Sequence, residues 1–88
     1  MDIQDLKASI RHYIAQNLLY SSNGFKYDDN ASFLEEGIVD SLGIMDLIMF
    51  IQENFGVTIK DAELTPDNFD SVNRIALYTQ YKLRETVH

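Results

Sequence analysis

The chain has 88 residues, 14 Asp and Glu against 7 Lys and Arg, a formal net charge of −7, and neither cysteine nor tryptophan. A chain of this length buries about 60–70 % of the surface its unfolded form exposes, which fills one small core and excludes a second domain. Without cysteine there is no disulfide staple, thiolate metal site or cysteine nucleophile, and the excess of acid points away from nucleic acid and membrane surfaces and toward protein partners with basic patches.

In chain order, the first predicted element is an amphipathic helix from Asp2 to about Tyr20. Ile3, Leu6, Ile10, Ile14 and Leu18 recur at helical spacing, with polar residues on the other faces. It is expected to end in Tyr20-Ser21-Ser22-Asn23-Gly24, where Asn and Gly tolerate left-handed backbone angles. Ser21 to Asp40 shows no sustained period and reads as a long loop, pinned by Phe33, Leu34, Ile38 and Val39.

The next helix is predicted from Ser41 to Asn54, closed by Phe55-Gly56. At about 100° per residue, Ile44, Leu47, Ile48, Ile51 and Phe55 share a core face. Leu42, Met45 and Met49 fall roughly opposite, interleaved with Asp46 and Glu53, and form a second apolar strip bordered by acids. Val57-Thr58-Ile59 reads as extended and Lys60 to Leu64 as one helical turn. Thr65-Pro66-Asp67-Asn68-Phe69 reads as a short turn with a Thr cap and Pro at the first helical position. The last helix starts near Asp70-Ser71 and turns Val72, Ile75, Ala76 and Thr79 inward, with Lys82 and Arg84 near its end. The expected class is all-α, an irregular bundle of three longer helices and one or two short pieces.

Enzyme constellations fail on inventory. The histidines are His12, on the first helix, and His88, the last residue, and Ser41 lies outside a strand-turn-helix elbow. Adjacent acids such as Glu35 and Glu36 read as solvated charge. A calcium loop starting at Asp28 fails because Phe33 stands where the turn needs Gly and Val39 where a bidentate Glu belongs. The N-terminus lacks a secretory signal, and the longest apolar run, Leu47 to Ile51, is too short to span a bilayer, so a cytoplasmic protein is expected.

Ser41 carries two readings. As a helix cap its hydroxyl accepts an unpaired backbone N–H, although Gly43 and Ile44 deny Asp40 and Ser41 a capping-box partner. As a modification site, a hydroxyl at a helix N-terminus suits a phosphodiester, whose charge the free N–H groups and the dipole stabilise. The first reading leaves a small acidic adaptor that binds a basic partner through the strip of the second helix.

Around Ser41 the sequence resembles the acyl and peptidyl carrier proteins, which hold phosphopantetheine on the serine of an Asp-Ser-Leu motif. The resemblance runs from Phe33-Leu34-Glu35-Glu36-Gly37-Ile38-Val39-Asp40-Ser41-Leu42 through Glu53-Asn54-Phe55-Gly56-Val57 to Asn68-Phe69-Asp70-Ser71-Val72. It implies a four-helix bundle with a long first loop and a short third helix, forming a single carrier domain over residues 1–88. It implies phosphopantetheine, derived from coenzyme A, attached covalently to Ser41, with Asp40 and Leu42 beside it. It also implies a docking surface of Leu42, Met45, Asp46, Met49 and Glu53. The protein itself is then not an enzyme but a freestanding carrier of acyl or aminoacyl thioesters in fatty-acid, polyketide or nonribosomal-peptide-type biosynthesis. Its partners are a phosphopantetheinyl transferase, a loading ligase and downstream enzymes, and it is expected to be a monomer. Gly43 departs from the pattern: many fatty-acid carriers have an acid there, which argues against a general fatty-acid-synthesis carrier. The stretches Glu36-Gly37-Ile38-Val39-Asp40-Ser41 and Asn68-Phe69-Asp70-Ser71-Val72 look more like freestanding carriers of dedicated pathways, including those that load amino acids.

Overall fold

The computed structural model describes residues 2–86, which are all-helical with no strand among them. Helix α1, Ile3–Tyr13, starts at Asp2, whose side chain accepts the Gln4 N–H at 3.3 Å. It continues as a wider π-helical stretch, Ile14–Leu18. Leu6, Ile10 and Ile14 are fully buried, as the spacing predicts.

The end of this helix differs from the expectation. Leu19 N–H donates to the Ile14 carbonyl at 2.9 Å and Ser21 N–H to that of Ala15 at 2.8 Å. The wide turn lets the neighbours Ile14 and Ala15 both reach the core. The left-handed exit then falls on Tyr20, at φ 52°, ahead of Asn23-Gly24.

The loop that follows is pinned by Phe33, Ile38 and Val39, all buried. Leu34 is not a pin. With Phe33 turned inward and held by its N–H to the Asp70 carbonyl at 2.8 Å, the next side chain points outward and is 45 % exposed. The loop is further tied by Arg11 to Asp29 at 3.2 Å and by Asn73 N–H to the Asp29 carbonyl at 3.0 Å.

Helix α2, Ser41–Phe55, buries Leu47, Ile48 and Ile51, with Ile44 and Phe55 partly covered. Each fully buried Leu or Ile contributes about 1.5–3 kcal/mol of apolar transfer. Phe50, on neither predicted strip, stacks on Tyr13 with ring centroids 4.2 Å apart and joins α2 to α1. Gly56 closes α2 in the left-handed conformation at φ 68°, which a side chain would strain.

A 3-10 turn, Asp61–Glu63, and the short helix α3, Pro66–Phe69, follow. Thr65 occupies the N-cap position of α3, but its side chain makes no capping bond; Asn68 instead donates its side-chain amide to the Glu63 carbonyl at 2.8 Å. Helix α4, Val72–Thr86, buries Val72, Ile75, Ala76 and Thr79 as predicted and packs mainly along α1 and α3. No helix among the described residues is long and apolar enough to cross a membrane.

Candidate functional site

The start of α2 separates the two roles that the sequence leaves together at Ser41. Asp40 is the cap: its Oδ1 accepts the Gly43 N–H at 2.8 Å, and its carbonyl accepts the first intrahelical bond, from Ile44 N–H at 2.9 Å. Ser41 is the first helical residue and is exposed. The reading of Ser41 as the cap is therefore corrected. The Ser41 and Leu42 N–H groups precede the first intrahelical bond, so the positive end of the helix dipole lies beside the serine hydroxyl.

Gly43 has a steric reason. A β-carbon there would lie 2.5 Å from Val39 Cγ1 and 3.4 Å from Asp40 Oδ1. Val39 is buried and cannot withdraw, so the glycine allows the loop and the first turn of α2 to approach closely enough for Asp40 to cap.

Next to Ser41 lies an apolar cavity of about 210 Å³ between the first turns of α2 and the Leu64–Phe69 segment. Ser41, Ile44, Met45, Ile48, Leu64 and Phe69 contribute to its lining, and the outward-turned Leu34 sits at its edge. The long-range bonds that pin the far wall were not visible in the sequence. The Asp70 carboxylate accepts the Ser32 hydroxyl and, at 3.1 Å, the Leu34 N–H. The Glu63 carboxylate accepts the Lys60 N–H at 3.1 Å and pairs with Lys82 Nζ at 3.2 Å. The Tyr78 hydroxyl is buried beside it, short of full hydrogen-bond geometry. The Tyr78 phenol, the Lys60 N–H and Lys82 hold the Glu63 carboxyl at about 2, against an ordinary 4.5. Burial, and then Glu63, push the Tyr78 phenol up.

The strip opposite the core face of α2 is open. Leu42 is 78 %, Met45 48 % and Met49 54 % exposed, so the two methionines do not pack under the loop. Asp46 and Glu53 are exposed along the same helix, close enough to Tyr13 to add to the burial that raises its phenol pKa. No histidine lines the cavity among the described residues; His12 is exposed on α1 and His88 lies outside the described residues.

This geometry fits phosphopantetheine. The Ser41 hydroxyl is open to a modifying enzyme, unspent N–H groups stand ready for a phosphate, and an apolar recess lies within the same turn of helix.

Comparison with known proteins agrees. The D-alanyl carrier protein of Bacillus pumilus (strain SAFR-032) is 33 % identical over 51 residues, covering 58 % of this chain and 65 % of its own. That of Bacillus velezensis is 32 % identical over 50 residues, covering 57 % and 64 %. The chain thus spans just under two thirds of the length of these curated relatives. The crystal structure of an acyl carrier protein from Thermotoga maritima is similar with a TM-score of 0.75 and 25 % identity, over 97 % of this chain and 94 % of that one. Residues 8–79 match the phosphopantetheine attachment site family. With an exposed serine opening α2 inside that span, the chain belongs to this family, whose members carry phosphopantetheine covalently on a serine.

Proposed function

We infer that the protein is a freestanding, cytoplasmic carrier whose phosphopantetheine is attached to Ser41 and whose cargo is an acyl or aminoacyl group. The observation that carries this reading is the division of labour at the start of α2: Asp40 caps, leaving the Ser41 hydroxyl exposed on the first turn. When bound, the cofactor supplies the thiol that holds cargo as a thioester. The chain's own residues orient the attachment point, offer N–H groups to the phosphate and line a short apolar recess.

Leu42, Met45 and Met49, bordered by Asp46 and Glu53, serve as the surface on which the transferase, the loading ligase and downstream enzymes dock in turn. Flexible thioethers adapt to several partners, and surface acids raise association rate and selectivity. The similarity to D-alanyl carrier proteins favours an aminoacyl cargo. The intact mass of protein taken from its native host tests this. A phosphopantetheine increment plus an aminoacyl group is expected, whereas a long acyl chain would redirect the reading to fatty-acid or polyketide chemistry.

A further inference from the structure

Helix α4 carries an exposed strip of its own, away from Ser41. Leu77 and Tyr81, one turn apart, are each 59 % exposed, and Arg74 and Arg84 stand exposed three residues outside them on the same face. At about 1.5 Å per residue the strip runs about 15 Å along the helix. Beside it a groove of about 410 Å³ lies between α3 and α4. Leu77, Tyr78 and Tyr81 form its apolar wall, and none of its lining residues belongs to the Ser41 cavity or to the α2 strip.

The charge of this helix is opposite to that of α2. Helix α4 carries Arg74, Lys82 and Arg84 against the single carboxylate of Glu85, in a chain of net charge −7, whereas α2 carries Asp46 and Glu53 and no base. Lys82 is spent on Glu63. Arg74 gives one N–H to the Asp67 carbonyl at 3.1 Å, and neither it nor Arg84 belongs to an ion pair among the described residues. Core packing accounts for none of the four side chains of the strip. Tyrosine and arginine beside a groove are the residue types that carry most of the binding energy at protein interfaces.

We propose that this strip is a docking surface for an acidic amphipathic helix of a partner protein, which binds without covering Ser41. An apolar side chain of that helix enters the groove beside Leu77, Tyr78 and Tyr81, and carboxylates to either side meet Arg74 and Arg84. The net charge does not prevent this, because the screening length at physiological ionic strength is about 8 Å, shorter than the strip. A membrane is a poorer match, since an anionic surface is held by clusters of about four to eight cations and the strip presents only Arg74 and Arg84. So is the α2 strip of a second copy: Asp46 and Glu53 lie about 10 Å apart along the helix, short of the spacing of the two arginines. A chain held by α4 keeps both Ser41 and the α2 strip open.

Titration of the isotope-labelled full chain with a synthetic acidic peptide, read by amide chemical shifts, tests the surface. The probe is about 20 residues long, enough to form a helix in water, and has leucines one turn apart bracketed by glutamates; a second peptide has lysines in place of the glutamates. Saturable shifts at Arg74, Leu77 and Tyr81 with the glutamate peptide, weaker binding of the lysine peptide, and unmoved amides at Ser41 and Met45 are expected. Tyr81→Ala should weaken binding about fivefold or more, and Arg74→Gln or Arg84→Gln about two- to fivefold each, with Tm held. The double variant Arg74→Glu, Arg84→Glu should reverse the preference between the peptides, which a merely structural role of the arginines would not do. Shifts centred on α2, equal affinity for both peptides, or no saturable shift overturns the surface. The same shifts on adding phosphatidylglycerol vesicles alone, or on raising the protein concentration alone, would assign the strip to a membrane or to a second copy and overturn it too. Transfer of the arm to Ser41 should proceed at the same rate with the glutamate peptide bound, and a slower rate would overturn the separation of the two surfaces. Failure of transfer without peptide counts against the carrier reading and leaves the α4 surface standing.

Discussion

The Asp40 carboxylate accepts the Gly43 N–H at 2.8 Å and thereby takes over the capping of α2 from its neighbour Ser41. Two adjacent polar residues with similar capping preferences end up with different duties, one holding the helix and the other facing solvent. Asp40→Asn keeps a capping oxygen and is expected to lose only a few tenths of a kcal/mol, from the charge–dipole attraction, whereas Asp40→Ala should lose about 1 kcal/mol. Urea unfolding of the two variants measures the difference, and equal losses would contradict the assigned cap.

Gly43→Ala runs against the usual trend. In an exposed helix this change stabilises by about 0.5–1 kcal/mol. Here the new methyl would sit 2.5 Å from Val39 Cγ1, and overpacking of this kind costs about 1–3 kcal/mol. A lower urea midpoint is expected, and a higher one would show that the loop is free to move away.

Glu63 sets the acid limb of stability. Its folded value of about 2 lies below its ordinary 4.5, so the folded state binds its proton less readily than the unfolded state. The stabilisation is complete above pH 4.5 and is lost as pH falls toward 2. Glu63→Gln should flatten the fall in Tm across that window, with its main loss of Tm at neutral pH. A parallel acid limb in the variant would remove Glu63 from this role.

Met45→Ala and Met49→Ala probe the strip rather than the fold. Both side chains are about half exposed, so unfolding midpoints should move little, by roughly 0.5 kcal/mol or less. Transfer of the arm from coenzyme A is expected to slow several-fold in each. Unchanged rates with the transferase and with a loading ligase would take the methionines out of the docking surface.

Local signals in the sequence carried much of this architecture. Leu6, Ile10 and Ile14 on α1, and Val72, Ile75, Ala76 and Thr79 on α4, are inward as their spacing requires, even though Thr79 buries a hydroxyl without a hydrogen-bond partner. The bounds of α2 follow from Asp40-Ser41 at one end and Gly56 at the other. What was hidden depends on distant partners. The Glu63–Lys82 pair joins residues 19 apart in sequence, and Asp70 reaches back to Ser32 and Leu34 across the loop. The π-helical widening and the left-handed Tyr20 follow from fitting Ile14 and Ala15 together into the core, which periodicity alone does not register. At the site, the exposed apolar strip of α2 and the serine at its start were legible from the helical wheel and the motif, whereas the steric need for Gly43 required the position of Val39.

The central claim is that Ser41 carries the arm. Incubation of the purified chain with coenzyme A and a broad-specificity phosphopantetheinyl transferase, read by intact mass and by peptide mapping, tests it directly. A single phosphopantetheine increment on the peptide containing Ser41, absent in Ser41→Ala, is the predicted result. An increment that survives in Ser41→Ala, or no increment on the folded wild-type chain, would contradict the account.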